Sequence, residues 1–322
     1  MAAIAIFDPV QNDLNLVEEE IRQVSRVDYP LLGSYLQHIL STRGKRVRPA
    51  IVLLSASFHE YRLQFLVPLA AAIELLHTAT LVHDDLIDNA STRRGTPTLN
   101  SLTSKSVTVL VGDYLFAKAA ALCTETQSVR VMQVFGQTLM TICDGELRQI
   151  FSAGNWRQSR DEYYQKIERK TASLLRTAAE TGAILSGAGE DHIQALRQYG
   201  YLLGMAFQIV DDVLDFIGDE ATLGKPVGSD LRQGMITLPT IRLLEEDPDH
   251  PAIRRIFDDG DFSDDAVQDA VRVVLRSSGV SHSLEEARRF ARAAVDSLAT
   301  LPSSPARQAL ETLAEYVVDR MT

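Results

Sequence analysis

Apolar positions recur at helical spacing along nearly the whole chain, and the strict alternation typical of half-buried strands is scarce. Ala, Leu, Glu, Gln and Arg dominate the long apolar-rich stretches, and these residues favour helix. Short connectors in which Gly, Pro and Asp gather separate the stretches, as at 186–189 and 302–305. The pattern predicts an all-α protein without a sheet. Its predicted helices span 14–24, 49–57, 67–88, 106–123, 129–151, 160–186 and 193–217.

The connectors between these helices are of the length that joins antiparallel neighbours, and none resembles a flexible interdomain linker. The sequence contains no repeat at the periods of solenoid proteins. We therefore expect one all-helical domain over residues 1–322.

Composition narrows the function without defining it. Lys and Arg total 32 and Asp and Glu total 43, so the net charge is −11, which disfavours general binding of nucleic acid. Cys123 and Cys143 form no CxxC pair, which indicates a reducing compartment and two buried free thiols. The N-terminus lacks the basic start of a signal peptide, and no apolar run approaches the roughly 20 residues of a membrane span. We expect a cytoplasmic protein without a transmembrane segment.

The strongest chemical signal is an acidic pentapeptide, D-D-x-x-D, which occurs at 84–88 and again at 211–215. Residues four apart share a helix face, so the first and last aspartates of each pentapeptide project together. Each follows a long apolar stretch, 70–82 and 199–210, which places it at the end of a buried helix. If the two helices face each other, each close carboxylate pair would repel by roughly 3 kcal/mol at about 6 Å and a dielectric of about 20. Such a site needs cations, and Mg²⁺ shared with substrate phosphate oxygens fits it.

Several basic side chains lie where they could complete a diphosphate site. Arg suits bidentate phosphate contact, and Lys serves as a point charge. Each is an ordinary surface cation when taken singly. Together with the two acidic pentapeptides, they would supply the cationic part of a diphosphate site. The candidates are Lys45, Arg48, Arg93, Arg94, Lys170 and Lys225.

Other conspicuous residues have simpler explanations. His83 is expected to be a hydrogen-bonded core histidine, whereas His77 lies two turns before Asp84 and could contact a polar substrate group. The acidic residues of 258–265 are expected in a solvated loop, with Ser263 capping the next helix. The sequence contains no HExxH, GxSxG, P-loop or GxGxxG motif.

In combination, these segments resemble the trans-prenyltransferase family, the polyprenyl diphosphate synthases. The matching segments occur in the family's order between residues 44 and 239, and the C-terminal ALETLAEYVVDR (309–320) is also similar. They are GKRVRP (44–49), ELLHTATLVHDDLID (74–88), RRGTPT (93–98), GDYLFAKA (112–119), KTASLL (170–175) and FQIVDDVLDFIGDEATLGKPVGSDLRQGMITLP (207–239).

The resemblance implies an antiparallel helical bundle around a deep central cavity, in a homodimer. It also implies condensation of an allylic diphosphate with isopentenyl diphosphate, dependent on Mg²⁺, with three ions when substrate is bound. The implied metal ligands are Asp84, Asp88 and Asp211, supported by Asp85, Asp212 and Asp215. The implied contacts of the allylic diphosphate are Arg93, Lys170 and Lys225, and those of isopentenyl diphosphate are Lys45, Arg48, His77 and Arg94. Thr171 and Gln208 are implied to place oxygens near the developing carbocation.

One position departs from the family pattern. Members often carry a lysine where this chain has Met235. One cation fewer would weaken binding of the allylic diphosphate, although Lys225 is retained.

Product length is expected to depend on residues beneath the first aspartates. Ala79 and Thr80 precede Asp84 by five and four positions, which places them about one turn, roughly 5.4 Å, below the metal ions. Both are small or medium in size, and Phe116 could block the cavity in part. We predict a C25–C50 product. The alternatives are that the alanines only allow close helix packing, or that the enzyme makes a C15–C20 product.

Three other classes of protein share part of this pattern. A terpene cyclase is also helical, but its second metal motif mixes Asn, Ser and Glu, whereas here the motif is DDVLD. A non-catalytic partner subunit tends to lose aspartates, and all six remain. A helical scaffold would bind a protein partner and show no Mg²⁺-dependent affinity for diphosphates.

Overall fold

The computed structural model describes residues 6–41, 44–93, 95–152, 154–218 and 226–319. These residues are almost entirely helical, which confirms the all-α class. After a 3₁₀ turn (Asp8–Val10), the first half contains α1 (Gln11–Gln23), α2 (Pro30–Ser41), α3 (Val47–Ala56), α4 (Leu63–Ile87), α5 (Leu99–Leu102), α6 (Lys105–Thr124) and α7 (Val129–Phe151). The second half contains α8 (Arg160–Ile167), a π-helical turn (Glu168–Ala172), α9 (Ser173–Leu185), α10 (Glu190–Ile217), α11 (Ser229–Arg232), α12 (Leu238–Glu246), α13 (Pro251–Phe257), α14 (Asp264–Arg276), α15 (Gly279–Ser297), a 3₁₀ turn (Leu298–Thr300) and α16 (Pro305–Asp319).

A two-stranded ribbon is the one sheet among the described residues. β1 (Thr92–Arg93) pairs antiparallel with β2 (Thr96–Pro97). Gly95 has φ of 75°, and a two-residue hairpin loop needs this left-handed conformation. The expectation that the chain forms no sheet is therefore wrong at this turn. Arg94 lies outside the described residues.

The chain divides into two compact units. Unit 1 comprises Met1–Thr138, Leu174–Gly200 and Ser297–Leu313, and its central helix is α4. Helix α4 packs most extensively against α6 and also contacts α3 and α1. Its residues 68–76 are all buried, which explains why this segment has no polar face. The prediction of a single domain stays a prediction.

Unit 2 comprises Leu139–Ser173, Tyr201–Asp296 and Ala314–Thr322. Its core is a contiguous apolar cluster to which α8, α10 and α12 to α15 contribute. Tyr163 and Phe216 are its largest fully buried side chains. This core fixes the C-terminal end of α10, on which the second acidic pentapeptide lies.

Two expectations drawn from composition need correction. Cys123 is buried, but Cys143 is exposed, so only one of the two thiols is buried. By length and composition, α4 and α6 could each cross a membrane, which the apolar pattern did not predict. Of the most apolar window, 67% is buried in α4 and 39% in α6. Core helices of soluble proteins pass the same test.

Candidate active site

The first acidic pentapeptide closes helix α4. Asp85 is buried, with 7% exposure, and its Oδ1 atom lies 2.8 Å from both Nε and Nη2 of Arg93. Burial raises the pKa of Asp85, Arg93 opposes that rise, and Asp88 adds to it. Asp85 therefore binds Arg93, and with it the ribbon, to the end of α4. Asp84 is half-buried, and Asp88 is exposed.

The second pentapeptide closes helix α10 and is held by a denser hydrogen-bond network. Asp212 accepts hydrogen bonds from the Tyr163 hydroxyl and from Gln208 Nε2, both at 2.7 Å. Asp215 accepts one from the backbone N–H of Asp230 at 3.1 Å. Burial and, after it, Asp230 raise the pKa of Asp212 above its usual range. The sequence analysis did not identify Tyr163, although a wholly buried tyrosine generally needs a hydrogen-bond partner for its hydroxyl.

Burial divides the six aspartates into two groups, and both pentapeptides contribute to each group. One group is accessible to solvent, at least in part, and the other is buried in hydrogen bonds or ion pairs. The accessible aspartates are Asp84, Asp88 and Asp211, and the buried ones are Asp85, Asp212 and Asp215. Each pentapeptide thus combines carboxylates that are structural with carboxylates that can reach a ligand.

The π-helical turn after α8 carries two more of the predicted site residues. Thr171 donates a hydrogen bond from Oγ1 to Gln208 Oε1 at 2.6 Å, and Gln208 in turn donates to Asp212. Lys170 lies on the same turn, with Nζ 2.8 Å from Glu146 Oε1. Such turns are frequent at functional sites. Thr171 and Gln208, named separately in the sequence, therefore form one chain of hydrogen bonds that ends on the second pentapeptide.

The basic segment before α3 is held by a residue that the sequence prediction missed. Arg46 has φ of 50° and binds Glu18 of α1 through its guanidinium. Its Nη1 atom also lies 2.8 Å from Glu74 Oε1 of α4. Lys45 is exposed and Arg48 is half-buried on either side of it. Arg46 thus fixes the backbone between these two predicted substrate-binding cations to α1 and α4.

The residues below the first pentapeptide differ in exposure. Ala79 is fully buried, whereas Thr80 is half-buried and donates from Oγ1 to the His77 carbonyl at 2.7 Å. The Phe116 ring lies 5.2 Å from that of His83, which contacts the carbonyl of Val109 at 3.2 Å. Thr80, rather than Ala79, therefore borders accessible space.

No group of three carboxylate, histidine or cysteine side chains lies close enough to hold a metal ion in the part of the chain that the structure describes. The accessible aspartates offer carboxylate oxygens, which suit a hard divalent ion whose remaining ligands come from water and substrate phosphates. The donor chemistry therefore fits Mg²⁺ bound together with a diphosphate. Lys225 lies outside the described residues.

Comparison with known proteins shows the family. The model of the family described as polyprenyl synthetase matches residues 29–274. Heptaprenyl diphosphate synthase component 2 of Bacillus subtilis (strain 168) is 35% identical over 97% of this chain and 89% of that protein. The crystal structure of a decaprenyl diphosphate synthase from Rhodobacter capsulatus has a TM-score of 0.93 at 37% identity, over 99% of both chains. A polyprenyl synthase from Caulobacter crescentus CB15, complexed with calcium and isoprenyl diphosphate, has a TM-score of 0.93 at 32% identity, over 99% of this chain and 98% of that one.

Matches that cover most of the chain define its class of protein. The chain belongs to the polyprenyl synthetase family, and it shares the isoprenyl diphosphate synthase fold. It is a prenyltransferase that makes a polyprenyl diphosphate.

Proposed function

We propose that this prenyltransferase uses Mg²⁺ to condense an allylic diphosphate with isopentenyl diphosphate. It repeats the step to give an all-trans polyprenyl diphosphate at the long end of the predicted range, C35–C50. The observation that carries the proposal is that each D-D-x-x-D pentapeptide combines at least one solvent-accessible carboxylate with at least one buried one. Three of the six carboxylates are accessible to solvent at the ends of α4 and α10.

In this proposal, the accessible aspartates bind the ions, and the buried ones orient their neighbours. Asp85 fixes Arg93 toward the allylic diphosphate, and Asp212 fixes Gln208 and, through it, Thr171. The oxygens of Gln208 and Thr171 would face positive charge that develops on the allylic carbon. Preorganised dipoles of this kind stabilise a transition state because they need no reorientation during the reaction.

Divalent metal supplies Lewis acidity that stabilises the departing diphosphate. The Caulobacter polyprenyl synthase structure, which holds calcium and isoprenyl diphosphate, supports a divalent requirement. Mg²⁺ as the ion, and three ions with substrate bound, belong to this proposal. Lys45, Arg48 and His77 would hold isopentenyl diphosphate, together with Arg94. Lys170 and Lys225 would hold the allylic diphosphate. No side chain is assigned as general base, since the released diphosphate can accept the proton.

The relatives support a long product. Two of the three compared above are named as a heptaprenyl and a decaprenyl diphosphate synthase. Thr80 leaves space below Asp84 that a bulky side chain would close. The C15–C20 product remains the second candidate because Phe116 lies beside α4 in unit 1.

We propose that the chain acts in the cytoplasm as a homodimer. Val109 and Leu110 on α6 and Val129 at the start of α7 expose large apolar side chains in unit 1, and such exposed surface is typical of interfaces. The name component 2 of the Bacillus relative supports a different arrangement, in which a second kind of chain is required.

The test is to incubate the purified protein with Mg²⁺, labelled isopentenyl diphosphate and farnesyl diphosphate, and to size the dephosphorylated products. We expect a ladder that ends in one dominant C35–C50 alcohol, formed by a species of dimeric mass in size-exclusion chromatography with light scattering. A C20 endpoint would keep the reaction and contradict the product length. Failure to incorporate label with any primer would indicate a missing partner chain or a cyclase.

A further inference from the structure

Lys166 is a cation of unit 2 to which no role has yet been assigned. It lies in the last turn of α8, just before the π-helical turn that carries Lys170. Its ammonium nitrogen, Nζ, donates to the backbone oxygen of Ile236 at 3.2 Å. The same nitrogen lies 5.6 Å from the centre of the Tyr163 ring. Lys166 therefore joins α8 to the segment that leads into α12.

The charges around Lys166 belong to the candidate active site. Burial lowers the pKa of Lys166, Asp212 and Asp230 both raise it, and the cation of Lys170 lowers it. The two carboxylates thus favour the protonated ammonium. Lys170 follows Lys166 by four positions, which places the two residues about one helical turn apart. Lys166 extends the cationic row of this helix by one turn.

Met235 immediately precedes Ile236, the residue whose carbonyl accepts the hydrogen bond from Lys166. Its backbone N–H donates to the Asp230 carbonyl at 2.9 Å, and the next residue, Ile236, accepts from Lys166. The resemblance places a lysine at position 235 in many family members. In this chain, a cation contacts the adjacent peptide from α8 instead.

We propose that Lys166 supplies the positive charge that Met235 lacks, so that the allylic diphosphate subsite keeps its full set of cations. The proposal rests on the proposed function, because diphosphate is the anion that these cations would hold. Lys166 compensates the charge of the departing diphosphate and does not donate or accept a proton in the reaction. The positive charge of Lys166 also explains how an active enzyme can carry methionine at position 235.

The test is a charge-replacement series in which KM for the allylic primer, KM for isopentenyl diphosphate and kcat are measured separately. Lys166→Met is expected to raise the primer KM by about tenfold or more, since hydrogen bonds to charged groups are worth that factor. The KM for isopentenyl diphosphate should not change. Adding Met235→Lys to Lys166→Met should restore most of the primer affinity. Lys118→Met, on α6, is the control and should behave as wild type.

Lys166→Gln separates charge from structure, because glutamine keeps a donor for the Ile236 oxygen and lacks the charge. We expect it to raise the primer KM as much as Lys166→Met does. A Lys166→Gln enzyme with wild-type KM would assign Lys166 to holding the backbone and overturn the proposal. Unchanged KM in both variants would also overturn it.

A failure of the proposed function would be visible separately, as wild-type protein that incorporates no isopentenyl units. Calorimetry with inorganic diphosphate and Mg²⁺ then provides the readout. Weaker binding by Lys166→Met, recovered by Met235→Lys, supports the charge role without turnover. Equal affinities in wild type and variants overturn it.

Discussion

Thr80 is the residue on which the product-length prediction can be tested most directly. It shares a helix face with Asp84, four positions later, and its side chain is half-buried. Thr80→Phe should therefore place a ring in the space below the metal ions and shorten the dominant product by at least one five-carbon unit. Sizing the dephosphorylated alcohols by chromatography measures the change.

Thr78→Phe is the matched control for this substitution. Thr78 is also half-buried on α4, and its hydroxyl also bonds a carbonyl of the preceding turn, that of Glu74 at 2.8 Å. It lies six positions before Asp84, and so faces away from it. If both variants shorten the product equally, Thr80 does not form the floor.

At the residue scale, spacing was sufficient to select the aspartates and the cations as candidates, because the D-D-x-x-D pattern is local. The partners that hold them were not predictable from spacing. Tyr163 and Asp212 are 49 positions apart, and Arg46 is 28 positions from each of Glu18 and Glu74. Contacts over such distances depend on how helices pack, which no short motif encodes.

At the scale of secondary-structure elements, Gly204 permits the close packing of α10 on the π-helical turn. A Cβ atom at this position would lie 2.4 Å from the Cα of Ala172, a contact that the backbone can relieve only by moving. Gly204→Ala should cost about 1–3 kcal/mol of stability through overpacking, and should displace Thr171 as well. Thermal unfolding and kcat measure the two effects.

Gly136→Ala in α7 is the control variant for Gly204→Ala. Nothing lies within 4 Å of a Cβ atom built there, and alanine favours helix by up to about 1 kcal/mol over glycine. This variant should unfold at the wild-type temperature or above it. An unchanged unfolding temperature for Gly204→Ala would show that α10 can move away from the turn without cost.

The seven helices predicted from the apolar pattern begin and end within a few residues of observed helices, as for 129–151, which matches α7, but the pattern was not used to predict α15 and α16. The stretch 160–186, predicted as one helix, is interrupted by the π-helical turn, since one additional residue in a turn leaves the apolar pattern almost unchanged. Ser263 caps α14 as predicted and accepts from the Ala266 N–H. Two-residue strands such as β1 are too short to produce an alternating pattern.

For the molecule as a whole, metal and diphosphate should stabilise the fold only in combination. No group of three metal-binding side chains lies together in the described residues, and Mg²⁺ commonly takes its other ligands from water and substrate phosphates, so we expect diphosphate oxygens to complete the site. Mg²⁺ with inorganic diphosphate should raise the unfolding temperature by a few degrees at concentrations well above Kd. EDTA should reverse the shift, and Asp211→Asn should reduce it.

An equal shift with Mg²⁺ alone would contradict this expectation, because it would require a complete protein site for the ion. Differential scanning fluorimetry with each component singly and together distinguishes the two cases.

The family could be recognised from sequence because its motifs occur in order over much of the chain. Product length and the identity of a partner could not be fixed, since they depend on the volume below α4 and on exposed surfaces such as Leu110, and these are properties of assembled helices. A tenfold change in product preference needs only about 1.4 kcal/mol, which a single side chain can supply.

The left-handed conformation of Arg46 has a consequence for efforts to make this protein more thermostable. Replacing left-handed residues by glycine is a standard route to stabilisation, because a side chain in this conformation costs about 1 kcal/mol. At Arg46 the same replacement would remove the guanidinium that neutralises Glu18 and the buried Glu74. Gln127, with φ of 56° and an exposed side chain, is the position at which that route suits this chain.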